Sequence, residues 1–394
     1  MVVKIYFFCL HIFSFFVGLF NKKKYIIFES YPDFTGSPKR ICQELNKRGF
    51  SSNYTFVWAV DKSQKNSLDS YKTVPFWGNL KFIERQKKNF ILANAVLIVD
   101  SNRAIFKVSP KTFRIWTDHG GGPKQCTEYR QSLGKVDWYL ALSDIMKDIH
   151  FQIMRPSVVT DISQVLELGF PANDALFEVT DLKKFWSKTL RNGNTNFKKI
   201  IGWMPTFRPY HAKEKDPPFP FGVPIIKTKK EFVLLNQFLS EQNILLAIQV
   251  HHAQRRSKDY RTFEDFSNIV FISQGIKDEL QITNANLMNR YDALITDYSA
   301  AYNEFILLDR PIAITLDDYN EYAKQVGFYV DFPEYAKGFS VYNFNDLKSF
   351  ISEIAQNIDS KKHERQTSLH KIHKFIDNQS TERVVDFLIE NVKL

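Results

Sequence analysis

An α/β chain of two successive parallel-sheet domains, with a cleft between them and a hydrophobic segment ahead of them, is the fold the sequence predicts. Three observations predict it. Short apolar runs alternate with amphipathic stretches from Tyr25 to Leu142; the rhythm stops in a polar, turn-rich stretch at Ser187–Asn196; and it restarts at Ile200. At 394 residues, with 44% hydrophobic and 15% aromatic content, the chain has the material for more than one core.

Taken in order, Ile5–Phe20 is almost wholly apolar and runs into Lys22, Lys23 and Lys24. As a helix it reaches only about 24 Å at ~1.5 Å per residue, short of the ~30 Å hydrocarbon core. Three readings stay open: a membrane-associating segment whose lysines meet anionic headgroups, a buried first helix, and a cleaved signal. The last lacks a good small-residue site around Gly18 to Lys22. The first is carried forward, for residues 1–24 on the cytoplasmic face of the membrane. Tyr25–Glu29, Tyr54–Val60, Ala95–Val99, Phe113–Trp116 and Trp138–Leu142 read as strands, with Lys39–Arg48 and Leu80–Leu92 as helices between them, giving a first domain over 25–190. Ile244–Val250, Ile269–Ile272, Ala293–Thr296 and Ile312–Thr315 read as strands of a second domain over 198–394, with a helix at Glu231–Glu241 and a helical tail from Asp346.

Composition bounds the partners. A formal net charge of +10 points to an anionic partner, which nucleic acid, anionic lipid or a diphosphate substrate would each satisfy. No recognised nucleic-acid-binding module accompanies the charge, so none is expected as a partner. The three cysteines, Cys9, Cys42 and Cys126, are far apart and form no metal-ligand pattern, which favours a reducing compartment without structural zinc.

Open parallel sheets bind ligands at the carboxyl ends of their strands, and unusual clusters stand there. Thr117-Asp118-His119-Gly120-Gly121-Gly122-Pro123-Lys124 sets a histidine beside three glycines whose exposed amides suit an anionic oxygen, with Lys124 adding charge; a plain glycine-rich turn is the bland reading. Ile244–Val250 ends in His251-His252, and neighbouring histidines on extended backbone diverge, so one of them at most faces a cleft and neither makes a zinc site. Asp297-Tyr298-Ser299 opens directly into a helix, which would place the Ser299 hydroxyl and free N–H groups against a diphosphate, and Glu304 against ribose hydroxyls. Ser299 as a simple N-cap is the competing reading. This layout resembles the nucleotide-binding segment of two-domain, GT-B-type transferases built from Rossmann-like domains.

The ordered set of motifs is similar to the CDP-glycerol glycerophosphotransferase family of teichoic acid and capsule assembly, from about Lys24 to Phe339. The resemblance rests on Phe28-Glu29-Ser30 with Ser37-Pro38-Lys39, Gly169-Phe170-Pro171-Ala172-Asn173-Asp174, Pro205-Thr206-Phe207-Arg208, Leu294 to Ser299, Arg310-Pro311-Ile312 to Asp318 and Tyr322, and Gly327-Phe328-Tyr329. Departures accompany it: two residues separate Trp116 from His119, His252 stands where the family has proline, and Ala172 where arginine is common.

The resemblance implies transfer of a polyol phosphate from CDP-glycerol or CDP-ribitol to a lipid-linked or polymeric cell-surface glycan. His119 would be the general base, and Arg208, His251 and the amides around Ser299 would stabilise charge on the phosphoryl group and departing CMP. Asp297, Ser299, Glu304, Lys124 and Gly120 would hold the donor. Asp318 falls in a loop motif, so no metal ligands are assigned and a metal requirement stays open. A chain with little beyond two domains is closer to family enzymes adding one or few units than to polymerases. A glycosyltransferase using a nucleotide sugar and a non-catalytic membrane scaffold are the other two functions to be separated.

Overall fold

A computed structural model describes residues 24–61, 72–118, 122–125, 131–190, 195–208, 219, 221–250 and 266–394. It contains two wholly parallel sheets. The first is built from β1 (Lys24–Phe28), β2 (Tyr54–Asp61), β3 (Lys72–Trp77), β4 (Ala95–Asp100), β5 (Phe113–Trp116), β6 (Trp138–Leu140) and β7 (Val165–Leu166), in the order β3-β2-β1-β4-β5-β6-β7. The second contains β8 (Lys199–Met204), β9 (Ile244–Ile248), β10 (Ile269–Phe271), β11 (Ala293–Thr296), β12 (Ile312–Thr315) and β13 (Phe339–Val341), in the order β10-β9-β8-β11-β12-β13. Both orders reverse once, between β1 and β4 and between β8 and β11. At such switch points the loops leave in opposite directions and open a crevice beyond the strand ends. The α/β class and the parallel sheets are as the sequence predicts.

The strands form where apolar runs are continuous, because a parallel sheet covered on both faces buries both sides of each strand. β9 and β11 are buried at every position. β3, β7 and β13 escaped the sequence reading: β3 carries Pro75 at the sheet edge, where a missing N–H is tolerated, β7 has only two residues and β13 only three.

Compactness divides the chain differently from the expected 25–190 and 198–394. One unit comprises 1–119, 126–174 and 374–394, the other 120–125 and 175–373. Two packing arrangements account for this. In the first unit the C-terminal helix Ser380–Val392 packs beside α1 (Gly36–Lys47), and Asp174 accepts the amides of Ser380 and Thr381 at 3.1 and 2.8 Å, capping that helix from outside. Gly169, at φ +77°, leaves no room for a side chain: a Cβ there would lie 2.5 Å from the Ser380 hydroxyl. The Gly169–Asp174 motif is thus a dock for the C-terminal helix, and the Ala172 amide reaches the Ser37 hydroxyl of the opening motif at 3.2 Å.

In the second unit, 122–125 lies as a short antiparallel bridge on Gly327–Tyr329. Tyr329 donates to Pro123 at 2.9 Å and Gln125 to Gly327 at 3.1 Å. The core of this unit gathers Ile201, Trp203, Leu246, Ile248 and Ile295 of the sheet beneath Phe232, Leu235 and Leu239 of a helix at Lys229–Gln242. That helix starts sharply because Thr228 and Glu231 form a reciprocal capping box.

Candidate functional site

The second sheet's switch point is closed by charge. β8 ends at Met204, and the chain then presents Thr206 and Arg208; β11 ends at Thr296, and Asp297 follows. Asp297 is fully buried and accepts the Thr206 amide at 2.8 and 3.1 Å and Arg208 Nη1 at 2.7 Å. Arg208 grips Asp318, beyond β12, through Nε at 2.7 Å and Nη2 at 3.0 Å, a two-pronged pairing that fixes the guanidinium plane. Its Nη1 also donates to the Thr206 carbonyl at 2.7 Å.

Aromatic rings wall this frame from water. The Arg208 guanidinium lies 5.0 Å from the Tyr298 ring, 5.1 Å from Tyr322 and 5.3 Å from Phe219. Tyr298 packs on Tyr322 at 4.2 Å and on Phe332 at 5.2 Å, and its hydroxyl donates to Asp318 at 2.9 Å. Burial, reinforced by the Asp318 and Asp297 charges, pushes the Tyr298 phenol far up, so it stays protonated as a donor.

Beside the frame, a cavity of about 340 Å³ opens at the carboxyl end of β12, lined by Phe219, Lys227, Asp317, Asp318, Asn320 and Glu321 among others. A strained turn precedes Lys227 of its lining. Ile225 sits at φ +69°, unusual for a β-branched side chain, with Ile226 donating back to Pro224 at 2.7 Å and Asp317 Oδ2 accepting the Ile225 amide at 3.2 Å. Burial raises the Asp317 carboxyl above the usual range.

The expected site residues divide three ways. Asp297 and Arg208 come together, but as partners of each other. Arg208 is only 2% exposed and its charge is answered by two carboxylates, so it does not stand open to a phosphoryl group as the sequence implied. Ser299 precedes the short helix Ala301–Phe305 and Glu304 lies within it; the Ser299 hydroxyl accepts the Ala301 amide at a long 3.3 Å, and burial pushes Glu304 up to about 7, with the Lys277 charge working the other way. Lys124 lies in the bridge to Phe328. His119, Gly120 and His251 lie outside the described residues, as does Ile5–Phe20.

Sequence reasoning noticed Asp318 and Tyr322 as motif positions without seeing that both enclose Arg208. Lys277, 4% exposed, was missed, because a lysine in the polar helix Gln274–Leu280 gives no signal of burial. Among the described residues no group of three His, Cys, Asp or Glu is placed to hold a metal, and no helix is long and apolar enough to cross a membrane.

Two wholly parallel sheets, each with one switch point, in a chain of two compact units define a two-domain α/β fold. The wall teichoic acid polymerase TagF superposes with a TM-score of 0.71 at 19% identity, over 95% of this chain and 90% of that one. UDP-GlcNAc 2-epimerase from Neisseria meningitidis gives 0.53 at 12% identity, over 94% and 100%. These likenesses concern the fold.

The chain belongs to the CDP-glycerol:poly(glycerophosphate) glycerophosphotransferase family, whose model matches residues 11–390, and it is a transferase by that membership. It is 23% identical to a teichoic acid poly(glycerol phosphate) polymerase of Bacillus spizizenii, over 95% of this chain and 94% of that protein. It is 22% identical to a teichoic acid glycerol-phosphate transferase of Staphylococcus aureus, over 92% of each. A teichoic acid glycerol-phosphate primase of Bacillus subtilis matches at 28% over 58% of this chain, which spans about half, 52%, of that relative. A polymerase matched over nearly its whole length means that chain size does not separate primase from polymerase here.

Proposed function

We propose that the chain transfers glycerol phosphate, or a related polyol phosphate such as ribitol phosphate, from a CDP-activated donor to a hydroxyl of a lipid-linked or polymeric cell-surface glycan, releasing CMP. The observation that carries this reading is the junction of two family signatures. Pro205-Thr206-Phe207-Arg208 and Thr296-Asp297-Tyr298-Ser299 are brought to one switch point and locked by the Arg208–Asp297 and Thr206–Asp297 bonds. A rigid frame beside the donor suits a reaction that depends on positioning and electrostatics.

In the proposed step the acceptor oxygen bonds to the donor's β-phosphorus as the bond from that phosphorus to the bridging oxygen breaks. CMP leaves with that oxygen, and the acceptor's proton passes to His119. Ser299 and the amides near it, with Lys124 and Gly120, hold the diphosphate, Glu304 the ribose, and His251 the departing charge. Arg208 and Asp297 act as positioning residues that hold the loops carrying these groups.

Purified protein offered CDP-glycerol, CDP-ribitol and nucleotide sugars, with a lipid-linked acceptor, should release CMP from a CDP-polyol. Release of a nucleoside diphosphate from a nucleotide sugar would replace this reading with glycosyl transfer, and no release with any donor would favour the scaffold. His119→Ala should lower turnover by about 10²–10⁴-fold while leaving donor affinity near that of the parent. Near-normal turnover would remove His119 from the mechanism.

The N-terminal segment and its lysines fit attachment to the cytoplasmic face of the membrane. Deleting residues 1–21 and neutralising Lys22–Lys24 should release the protein from anionic vesicles in sedimentation. Unchanged sedimentation would count against that anchor.

A further inference from the structure

On the other side of β8 from the Arg208 frame, β9 runs on through Gln249, whose backbone amide donates to Trp203 of β8 at 2.8 Å and so fixes where the side chain starts. Gln249 Nε2 donates to Asn284 Oδ1 at 2.8 Å. The same Asn284 oxygen accepts from the buried Lys277 ammonium.

This chain of contacts settles the orientation of both amides. An ammonium only donates, so the Asn284 atom facing it is the oxygen. The Gln249 atom facing that oxygen must then be the nitrogen, and the Gln249 oxygen is turned away from the cluster. Asn284 cannot easily yield, because it opens the helix Asn284–Met288, which Thr283 and Asn286 cap reciprocally. Gln249 Oε1 is left buried, with no hydrogen-bond partner among the described residues. A buried carbonyl held in one orientation and left unanswered costs free energy that an incoming N–H donor would recover.

Gln249 stands just past the carboxyl end of β9, next to β8 of the switch point where the donor is proposed to sit, and the Lys277 charge also reaches Glu304, the proposed ribose contact. The group beyond a ribose is the base. Cytosine presents an amino donor at its 4-position, where uracil presents a carbonyl acceptor.

We propose that Gln249, oriented by Asn284 and Lys277, accepts the cytosine 4-amino group and makes the site prefer cytidine over uridine nucleotides. The proposal rests on the CDP-donor reading. A uracil carbonyl would face the Gln249 oxygen with no proton between them, and Lys277 keeps the amides from flipping to accommodate it.

The test is calorimetric titration of the full chain with CMP and with UMP, on the parent protein, Gln249→Leu and Asn284→Leu, with thermal unfolding to verify folding. The parent should bind CMP at least about tenfold more tightly than UMP. Gln249→Leu should bring the two within about threefold, through weaker CMP binding. Asn284→Leu releases the Gln249 amide and should narrow the preference mainly by improving UMP. A folded variant of either kind that keeps the parent's preference overturns the proposal, as does a parent that binds both nucleotides equally. A parent that binds neither overturns the CDP-donor reading and this inference with it, whereas an unchanged preference in the variants leaves that reading standing.

Discussion

The two sheets close their switch points in the same way, and differ in what else the closing carboxylate meets. Glu29, just past β1, accepts the amides of Ser101 and Asn102 beyond β4, at 3.2 and 2.9 Å. Asp297, just past β11, accepts the Thr206 amide beyond β8. Both side chains are fully buried, and both stitch loops that leave the sheet in opposite directions. Asp297 also faces Arg208, whereas the second oxygen of Glu29 is buried without a hydrogen-bond partner among the described residues. Desolvation therefore dominates at Glu29 and pushes its carboxyl up to about 7. One switch point carries a carboxyl raised by burial, the other a carboxylate paired with a guanidinium. The second ties its carboxylate to a buried cation as well as to a backbone amide.

The largest effect should come from breaking that pairing. Arg208→Met removes the one cation that Asp297 and Asp318 share and leaves two carboxylates in an aromatic box. Loss of one partner from a buried pair typically costs about 3–5 kcal/mol, so urea unfolding should show a loss of that order, and polyol-phosphate transfer should fall with it. A stability loss under about 1 kcal/mol would show that the frame is solvated and that Arg208 is free for other work.

How much of this was legible in the sequence depends on the range of the interactions. Continuous apolar runs such as Ile244–Ile248 declared themselves, because burial on both faces leaves no polar alternation. The segment around Asp297 stood out because it follows a recognisable strand, and the one around Arg208 because it matches a family signature. What those side chains touch was not. Arg208 meets Asp318 across 110 positions, and Gln249 meets Asn284 across 35, distances at which local pattern carries no information. Composition likewise gives no hint that Asp174 spends its charge on the start of the C-terminal helix.

A smaller effect concerns Glu29 and is read by pH. The ordinary Glu value is 4.5 and folding raises Glu29 to about 7, so the native state holds the proton more tightly than the unfolded one. The corresponding stability is fully present below about pH 4.5 and is lost as pH rises through 7. Glu29→Gln keeps an acceptor for the two amides and removes the titration. Its chemical-denaturation stability should thus fall less steeply between pH 4.5 and 7 than the parent's, by on the order of 1–3 kcal/mol across the window. Glu304, also raised to about 7, contributes the same sign in both proteins and cancels in the difference. Parallel pH profiles would mean that Glu29 finds a partner that keeps it ionised, and the contrast with Asp297 would weaken.

The smallest effect bears on whether Ser299 is consumed by the fold or left for a ligand. Thr228 shows what a consumed hydroxyl looks like: it accepts the Glu231 amide at 3.2 Å while Glu231 reaches back to its own amide at 2.8 Å, and removing it should cost about 1 kcal/mol. Among the described residues the Ser299 hydroxyl has the 3.3 Å contact from Ala301, the first residue of a five-residue helix, and no returning side-chain partner. Ser299→Ala should therefore lose less than about 0.5 kcal/mol in urea unfolding, roughly half the loss expected for Thr228→Ala. If the hydroxyl instead serves the donor's diphosphate, the same substitution should weaken CDP-glycerol binding by about tenfold in calorimetry, the scale of one hydrogen bond to a charged group. Thr228→Ala should leave that affinity unchanged. A Ser299→Ala protein that is destabilised like Thr228→Ala and binds CDP-glycerol like the parent would identify the serine as a helix cap, and the diphosphate contact would then have to come from backbone amides alone.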